Sequence, residues 1–248
     1  NYDIENIDSQ KMDGTVIVDV PMLSNGELNY GLSHIKKKLY EENVYPSEIG
    51  FDIMSLATMV YMADTRIERV VHGQDSWTRE IELEIPVSNV EIWDSQIRTV
   101  ERMLKFLTGD LWKITLSSRA WQFNNLEEVR EKSNKYDEVS LFSGGMDSLI
   151  STINLMENKK NTLLISHAGE GLTKNAQKNI VNKFDLLYPD VLHTWLDLWM
   201  VFPRDYIPAG GNDNNTRSRS FLFIGYALFA MTGMDNINEL LVPENGLI

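Results

Sequence analysis

The stretch Glu138-Val-Ser-Leu-Phe-Ser-Gly-Gly-Met-Asp-Ser-Leu-Ile150 narrows what this chain can fold into more than any other. Val139 to Phe142 reads as a short buried strand and Ser148 onward as a helix, so Ser143-Gly144-Gly145-Met146-Asp147-Ser148 is a glycine-rich strand-to-helix turn. Such a turn aims several backbone N–H groups and the positive end of a helix dipole at one point, which suits a phosphate. The glycines let the backbone come close to an anion, and Ser143 and Ser148 add hydroxyl donors. No Gly-Lys-Ser/Thr follows, so this is not the ordinary P-loop, and it is poorly equipped to activate a γ-phosphate.

Ser-Gly-Gly-x-Asp-Ser after a strand resembles the signature of the PP-loop ATP pyrophosphatases. That resemblance implies ATP and Mg²⁺ as cofactors and cleavage of ATP between its α and β phosphates. It implies that Ser143, Gly144, Gly145 and Ser148 bind the phosphates, that Asp147 holds the metal, and that Asp147 and Ser148 take part in catalysis.

The chain downstream fits an open parallel sheet. Leu149, Ile150, Ile153 and Met156 give a helix one apolar face, and Asn161 to Ser166 is a strand buried on both sides. Strand, helix, strand in this order makes a right-handed crossover. A helix from about Lys174 to Leu187 and a strand from Val191 to Asp197 follow, with His193 read as a satisfied sheet residue. His167-Ala-Gly-Glu-Gly171 then falls at a carboxyl edge, where ligands bind in such sheets. In the resembled family this loop borders the adenosine, which makes Ser166, His167 and Gly169 candidate contacts.

Phe221 to Met231 is apolar all round and reads as a buried helix, preceded by Arg217 and Arg219. A helix dipole disfavours cations at its N-terminus, so the arginines are expected to hold an anion or a carboxylate, with an ion pair to Asp213 or another acid as the alternative. The stretch resembles the element that opens the corresponding helix in QueC-type enzymes, the makers of 7-cyano-7-deazaguanine. Arg219 falls on that element's arginine and Phe223 on its aromatic residue, with Ser220 in place of an asparagine. Arg217-Ser-Arg219-Ser resembles the anti-phage defence branch, often called QatC-like. So does Pro243-Glu244-Asn245-Gly246 after a fourth strand at Glu239 to Val242. The aromatic-Gly-Gln-Arg pattern of the biosynthetic enzymes is missing from the loop after Ser166. The resemblance implies that Arg219 is catalytic, that Arg217 and Arg219 meet the α-phosphate or the substrate, and that Arg217, Glu244 and Asn245 bind substrate. The biosynthetic enzymes carry a zinc site further on, so zinc is expected only beyond residue 248.

The first half reads as a smaller α+β domain. Thr15 to Val20 alternates as a strand, and a helix follows Pro46 and Ser47. Glu80 to Val87 alternates as a half-buried antiparallel strand, Val90 to Leu107 has the period of one amphipathic helix, and Leu111 to Leu116 returns as a strand. Trp77-Thr78-Arg79 and Leu107-Thr108-Gly109-Asp110-Leu111-Trp112 resemble patterns in the defence branch. By residue chemistry, however, the tryptophans read as core and Gly109 as a helix C-cap. Lys36, Lys37 and Lys38 read as a solvated helix face, and His34 and His72 as structural or surface residues. The polar stretch from Asn124 to Asp137 suggests a boundary, giving domains of 1–135 and 136–248. The expected fold is thus α/β, an open parallel-sheet PP-loop domain (adenine nucleotide alpha hydrolase-like) preceded by an α+β domain.

Composition removes several classes. With 23 basic against 36 acidic residues the formal charge is −13, which argues against a broad nucleic-acid surface. There is no cysteine, so thiolate chemistry and disulfides are absent from these residues. No segment is long and apolar enough for a membrane span and no secretory leader opens the chain, so no membrane partner and a cytoplasmic location are expected. The chain opens on Asn1 and stops at Ile248 just past a strand, so residues are expected to be missing at both ends. The expected function is an adenylating enzyme of a defence system. It activates a deazaguanine-type carboxylate or amide, releases pyrophosphate and passes the acyl group to an amine, with other defence-operon proteins as partners. The alternatives are free 7-cyano-7-deazaguanine synthesis, a tRNA-modifying PP-loop enzyme, and a non-catalytic ATP-sensing subunit.

Overall fold

The alternation from Glu80 to Val87 produces a strand whose two faces differ as the residues demand. Ile81, Ile85 and Val87 are buried, and Glu80, Glu82 and Glu84 are exposed. The computed structural model of the chain describes residues 9–12, 15–126, 128, 132, 134–167, 171–203, 212, 213, 215 and 217–244. In chain order, β1 (Ser9–Met12) pairs with β2 (Thr15–Val18), and β3 (Leu23–Ser24) with β4 (Glu27–Leu28). Helices α1 (Leu32–Glu41), α2 (Glu48–Arg66) and α3 (Arg69–His72) come next. Then follow β5 (Gly73–Gln74), β6 (Thr78–Val87), α4 (Val90–Asp94), α5 (Ile97–Thr108) and β7 (Leu111–Ser118). After a short 3₁₀ turn at Phe123–Leu126 come β8 (Glu138–Leu141), α6 (Met146–Glu157), β9 (Thr162–His167) and α7 (Gly171–Leu187). The remaining elements are β10 (His193–Leu198), α8 (Arg219–Met231) and β11 (Leu240–Leu241). No helix among the described residues is long and apolar enough to cross a membrane.

The chain divides into two compact units that interleave in sequence. One contains Asn1–Tyr30, Ser55–Gln122 and Val201–Leu222; the other contains Gly31–Met54, Phe123–Met200 and Phe223–Ile248. A boundary at residue 135 follows chain order, whereas each compact unit gathers segments far apart in the chain. Local composition records where the chain is polar, not which distant segment it returns to.

In the first unit β6 lies between β5 and β7, and it is parallel to β7 over eight residue pairs, from Glu80↔Leu111 to Val87↔Ser118. The antiparallel reading of β6 holds only for its short pairing with β5. The helical connection between β6 and β7 makes the parallel arrangement possible, since parallel neighbours need a crossover. That connection is two helices rather than one. Ser95 Oγ donates to the carbonyl of Ile92 at 3.1 Å, a local bond that competes with helix continuation. Gly109 then closes α5 in the left-handed conformation, φ 78°, as its C-cap role requires.

Behind this sheet lies a buried charge network. Arg79 Nη2 donates to Asp64 Oδ1 and to Asp110 Oδ2, both at 2.6 Å. Arg69 grips Asp110 with Nη1 at 2.6 Å and Nη2 at 2.8 Å. Asp64 Oδ2 accepts from the backbone and hydroxyl of Ser218, which precedes α8. The Trp77 reading divides here: Trp112 is buried, but the Trp77 side chain is 64% exposed, while its backbone carbonyl is held by Arg69.

In the second unit all pairings of the four-stranded sheet are parallel, in the order β10-β9-β8-β11. Leu163, Leu164 and Ile165 of β9 are fully buried, as expected of a strand covered on both faces. Phe142, Leu164 and Phe184 form a core cluster with Leu149, Ile153 and Ile180 packed on it, which fixes α6 and α7 on the sheet. His193 is satisfied, through Val191 O at Nδ1 and Asp185 Oδ1 at Nε2. Lys38 is not part of a solvated face: it pairs with Asp197, leaving its side chain 23% exposed.

Two carboxyls in these units give stability a defined acid limit. Burial pushes Asp110 up, but hydrogen bonds from Arg79 and Arg69 outweigh it and hold the group below its ordinary 3.8. Burial likewise raises Glu42, yet Lys135, Tyr136 and Thr194 bring it below its ordinary 4.5. A depressed folded pKa contributes stability that is fully present above the ordinary value and is lost as pH falls through the folded one. Melting temperature should therefore lose these contributions only as pH falls below about 4, and Glu42→Gln should reduce the acid-side slope. An acid-side slope unchanged in Glu42→Gln would contradict this assignment.

Candidate functional site

The Ser143–Ser148 turn sits where β8 ends and α6 begins, at the carboxyl end of an inner strand of the parallel sheet. Gly144 adopts φ +80°, a conformation that L side chains rarely tolerate. A Cβ there would stand 2.8 Å from Cγ of Gln177, so glycine is required on space as well as on conformation. Two serine side chains bind the turn together. Ser148 Oγ accepts from Gly144 N–H at 3.1 Å and donates to Gly145 O at 3.0 Å, and Ser143 Oγ accepts from Gly145 N–H at 3.2 Å. The two hydroxyls lie 3.1 Å apart.

This geometry brings two backbone N–H donors and two hydroxyls onto one short turn at the start of a twelve-residue helix. Ser143 is exposed whereas Ser148 is buried, so a phosphate oxygen can take the place of Ser143 Oγ as acceptor for Gly145 N–H, and the released Ser143 hydroxyl can then donate to it. Asp147 lies exposed in the first turn of α6. Among the described residues no cluster of three or more His, Cys, Asp or Glu side chains could hold a metal. A single carboxylate still suits Mg²⁺, which is commonly held by one or two carboxylates plus the oxygens of substrate phosphates.

Ser166 and His167 end β9 beside the turn. Ser166 is fully buried; its hydroxyl donates to Phe142 O and accepts from Trp195 Nε1 at 2.9 Å. It therefore acts as a brace between β8, β9 and β10. The His167 ring stacks on Tyr226 with centroids 5.9 Å apart. Gly169 and Asn245 lie outside the described residues, and Glu244 is exposed after β11.

Arg217 and Arg219 belong to the first unit, whereas the turn belongs to the second. Arg219 is exposed as the first residue of α8. Arg217 Nη1 donates to Thr108 O at 2.7 Å and its guanidinium lies over the Trp77 ring, 5.4 Å from the centroid. Thr108 is the last residue of α5, so this arginine sits at the negative end of a helix dipole, where a cation is favoured. The expectation that Arg217 holds an anion against its own helix left out this second helix end. Asp213, the acid expected to pair with these arginines, pairs with Arg69 and Arg79, and the acid that meets the start of α8 is Asp64, through Ser218.

Residue patterns left one side chain of the turn unread. Gln177 of α7 is 1% exposed, and its Nε2 donates to Ser143 O at 3.0 Å and to Phe142 O at 3.4 Å. Nothing in the spacing of α7 marks it, because only tertiary packing tells which helix face meets the turn. Comparison with known protein families, with curated proteins and with solved structures finds no match to the chain.

Proposed function

We propose that the chain is an adenylating enzyme of PP-loop type, QueC-like and of the anti-phage defence branch. The reading is carried by the turn at the carboxyl end of β8, where Gly144 is left-handed and two N–H groups and two serine hydroxyls converge ahead of α6. The absence of a lysine within the turn favours a held pyrophosphate over an activated γ-phosphate.

In the proposed reaction an oxygen of a deazaguanine-type carboxylate or amide attacks the α-phosphorus of ATP. The bond from that phosphorus to the bridging oxygen breaks, and pyrophosphate leaves with the electron pair. An amine nitrogen then attacks the activated acyl carbon, AMP leaves, and the amine's proton passes to solvent. Ser143, Gly144, Gly145 and Ser148 hold the leaving pyrophosphate, and fixed donors where charge grows lower the barrier in the manner of an oxyanion hole. Asp147 is the residue that would hold Mg²⁺, which when bound supplies charge neutralisation at the phosphates. Ser166 and His167 border the nucleoside. By the resemblance Glu244 and Asn245 serve the substrate, while the guanidinium of Arg217 is taken up by the carbonyl of Thr108 and the Trp77 ring.

The test is which bond of ATP is broken. ATP labelled at the α and γ positions, incubated with a deazaguanine carboxylate, an amine and the operon partners, should yield labelled AMP and labelled pyrophosphate. ADP and phosphate as products would overturn the adenylation reading.

A further inference from the structure

The turn lacks a lysine of its own, yet two lysines of the same unit converge close by. Lys38 pairs with Asp197 Oδ1 and Lys174 with Asp197 Oδ2, so one carboxylate carries two ammonium groups and a positive charge is left over. Burial pushes the Asp197 carboxyl up, but Lys174 and then Lys38 outweigh it and hold it below the ordinary carboxylate value.

Register places this cluster at the level of the turn. Asp197 on β10 faces Ser166 on β9, and the Ser166 hydroxyl is bonded to the carbonyl of Phe142, the residue that opens the turn. The two levels are thus separated by two strand spacings, about 10 Å. Lys174 and Gln177 are three residues apart on α7, which puts them on one face with Cβ atoms about 5–6 Å apart. Gln177 lies against the turn itself. Lys174 is 47% exposed and held by one ion pair, so its flexible stem is free to change partner.

Gln177 supplies an independent sign. Its Nε2 must face the carbonyls of Phe142 and Ser143, because a carbonyl oxygen in that position would have no proton to give. That orientation leaves Oε1 buried and without a hydrogen-bond partner, a costly state for an amide oxygen. The structure offers a donor one helical turn away, the ammonium of Lys174.

We propose that the α7 face bearing Lys174 and Gln177 completes the anion cradle of the Ser143–Ser148 turn. Gln177 holds the carbonyls of Phe142 and Ser143 back and shapes the bend at Gly144. Lys174 exchanges Asp197 for the bound polyphosphate and for Gln177 Oε1, and so delivers from a neighbouring helix the cation that the turn lacks. Asp197 keeps Lys38 and is not left without a counter-charge. This inference rests on the phosphate reading of the turn.

Titration calorimetry on the full chain tests it, with inorganic pyrophosphate and with ATP plus Mg²⁺ as probes. Lys174→Ala should weaken both by about tenfold or more at low salt, the size of a lost charge-assisted hydrogen bond, with the difference shrinking at high salt. Lys174→Arg should restore most of the affinity, which a residue with a purely structural role would not show. Gln177→Met should also weaken pyrophosphate without altering the charge of the site. Wild-type protein that binds neither probe overturns the phosphate reading and this inference together. Tight wild-type binding that Lys174→Ala leaves unchanged overturns this inference alone.

Discussion

Asp147→Ala should reduce AMP and pyrophosphate formation about a thousandfold or more, while lowering the melting temperature by no more than about 4 °C, the size of a lost helix-dipole contact. Activity and stability separate here because Asp147 is exposed in the first turn of α6 and packs into no core. Its loss removes the carboxylate that would anchor a metal ion where charge builds on the leaving group, and electrostatic stabilisation in such a place is worth about a hundredfold to a thousandfold or more. Initial rates with α-labelled ATP and a thermal melt on the same preparations decide the matter. A variant that retains more than about a tenth of parent activity would remove Asp147 from the chemistry.

The largest stability effect should come from Arg79. Its guanidinium bridges Asp64 and Asp110 where all three side chains are within 1% of complete burial. Arg79→Met keeps the length of the side chain but leaves two buried carboxylates with only Arg69 between them. Removing one partner of a buried ion network costs about 3–5 kcal/mol, because the remaining charge stays desolvated. Denaturant titration of the full chain should show that loss. Replacing Asp64 and Arg79 together by apolar residues should cost less than Arg79→Met alone, since no uncompensated carboxylate then remains at Asp64. A loss below about 1 kcal/mol for Arg79→Met would mean that the network is solvated and adds little.

The same network shows how residues and tertiary structure divided the information. The sequence by itself determined several elements governed by local rules. Strand β9, the glycine-rich turn into α6, the left-handed cap at Gly109 and the parallel β8-α6-β9 crossover follow from apolar period, from glycine placement and from the handedness of crossovers. The candidate cradle was legible for the same reason: Ser143, Gly144, Gly145 and Ser148 are contiguous, and their contacts with each other span five residues or fewer. What only the tertiary structure decided depends on contacts between distant segments. Arg217 could be placed only by knowing that Thr108, more than a hundred residues earlier, ends a helix beside it. Gln177 meets the turn from thirty-four residues downstream, and Asp197 collects Lys38 from the far side of the chain. The interleaved units have the same origin. A polar stretch marks where a chain can run through solvent, but burial of apolar faces decides which segments come back together, and that quantity belongs to pairs of segments rather than to either one.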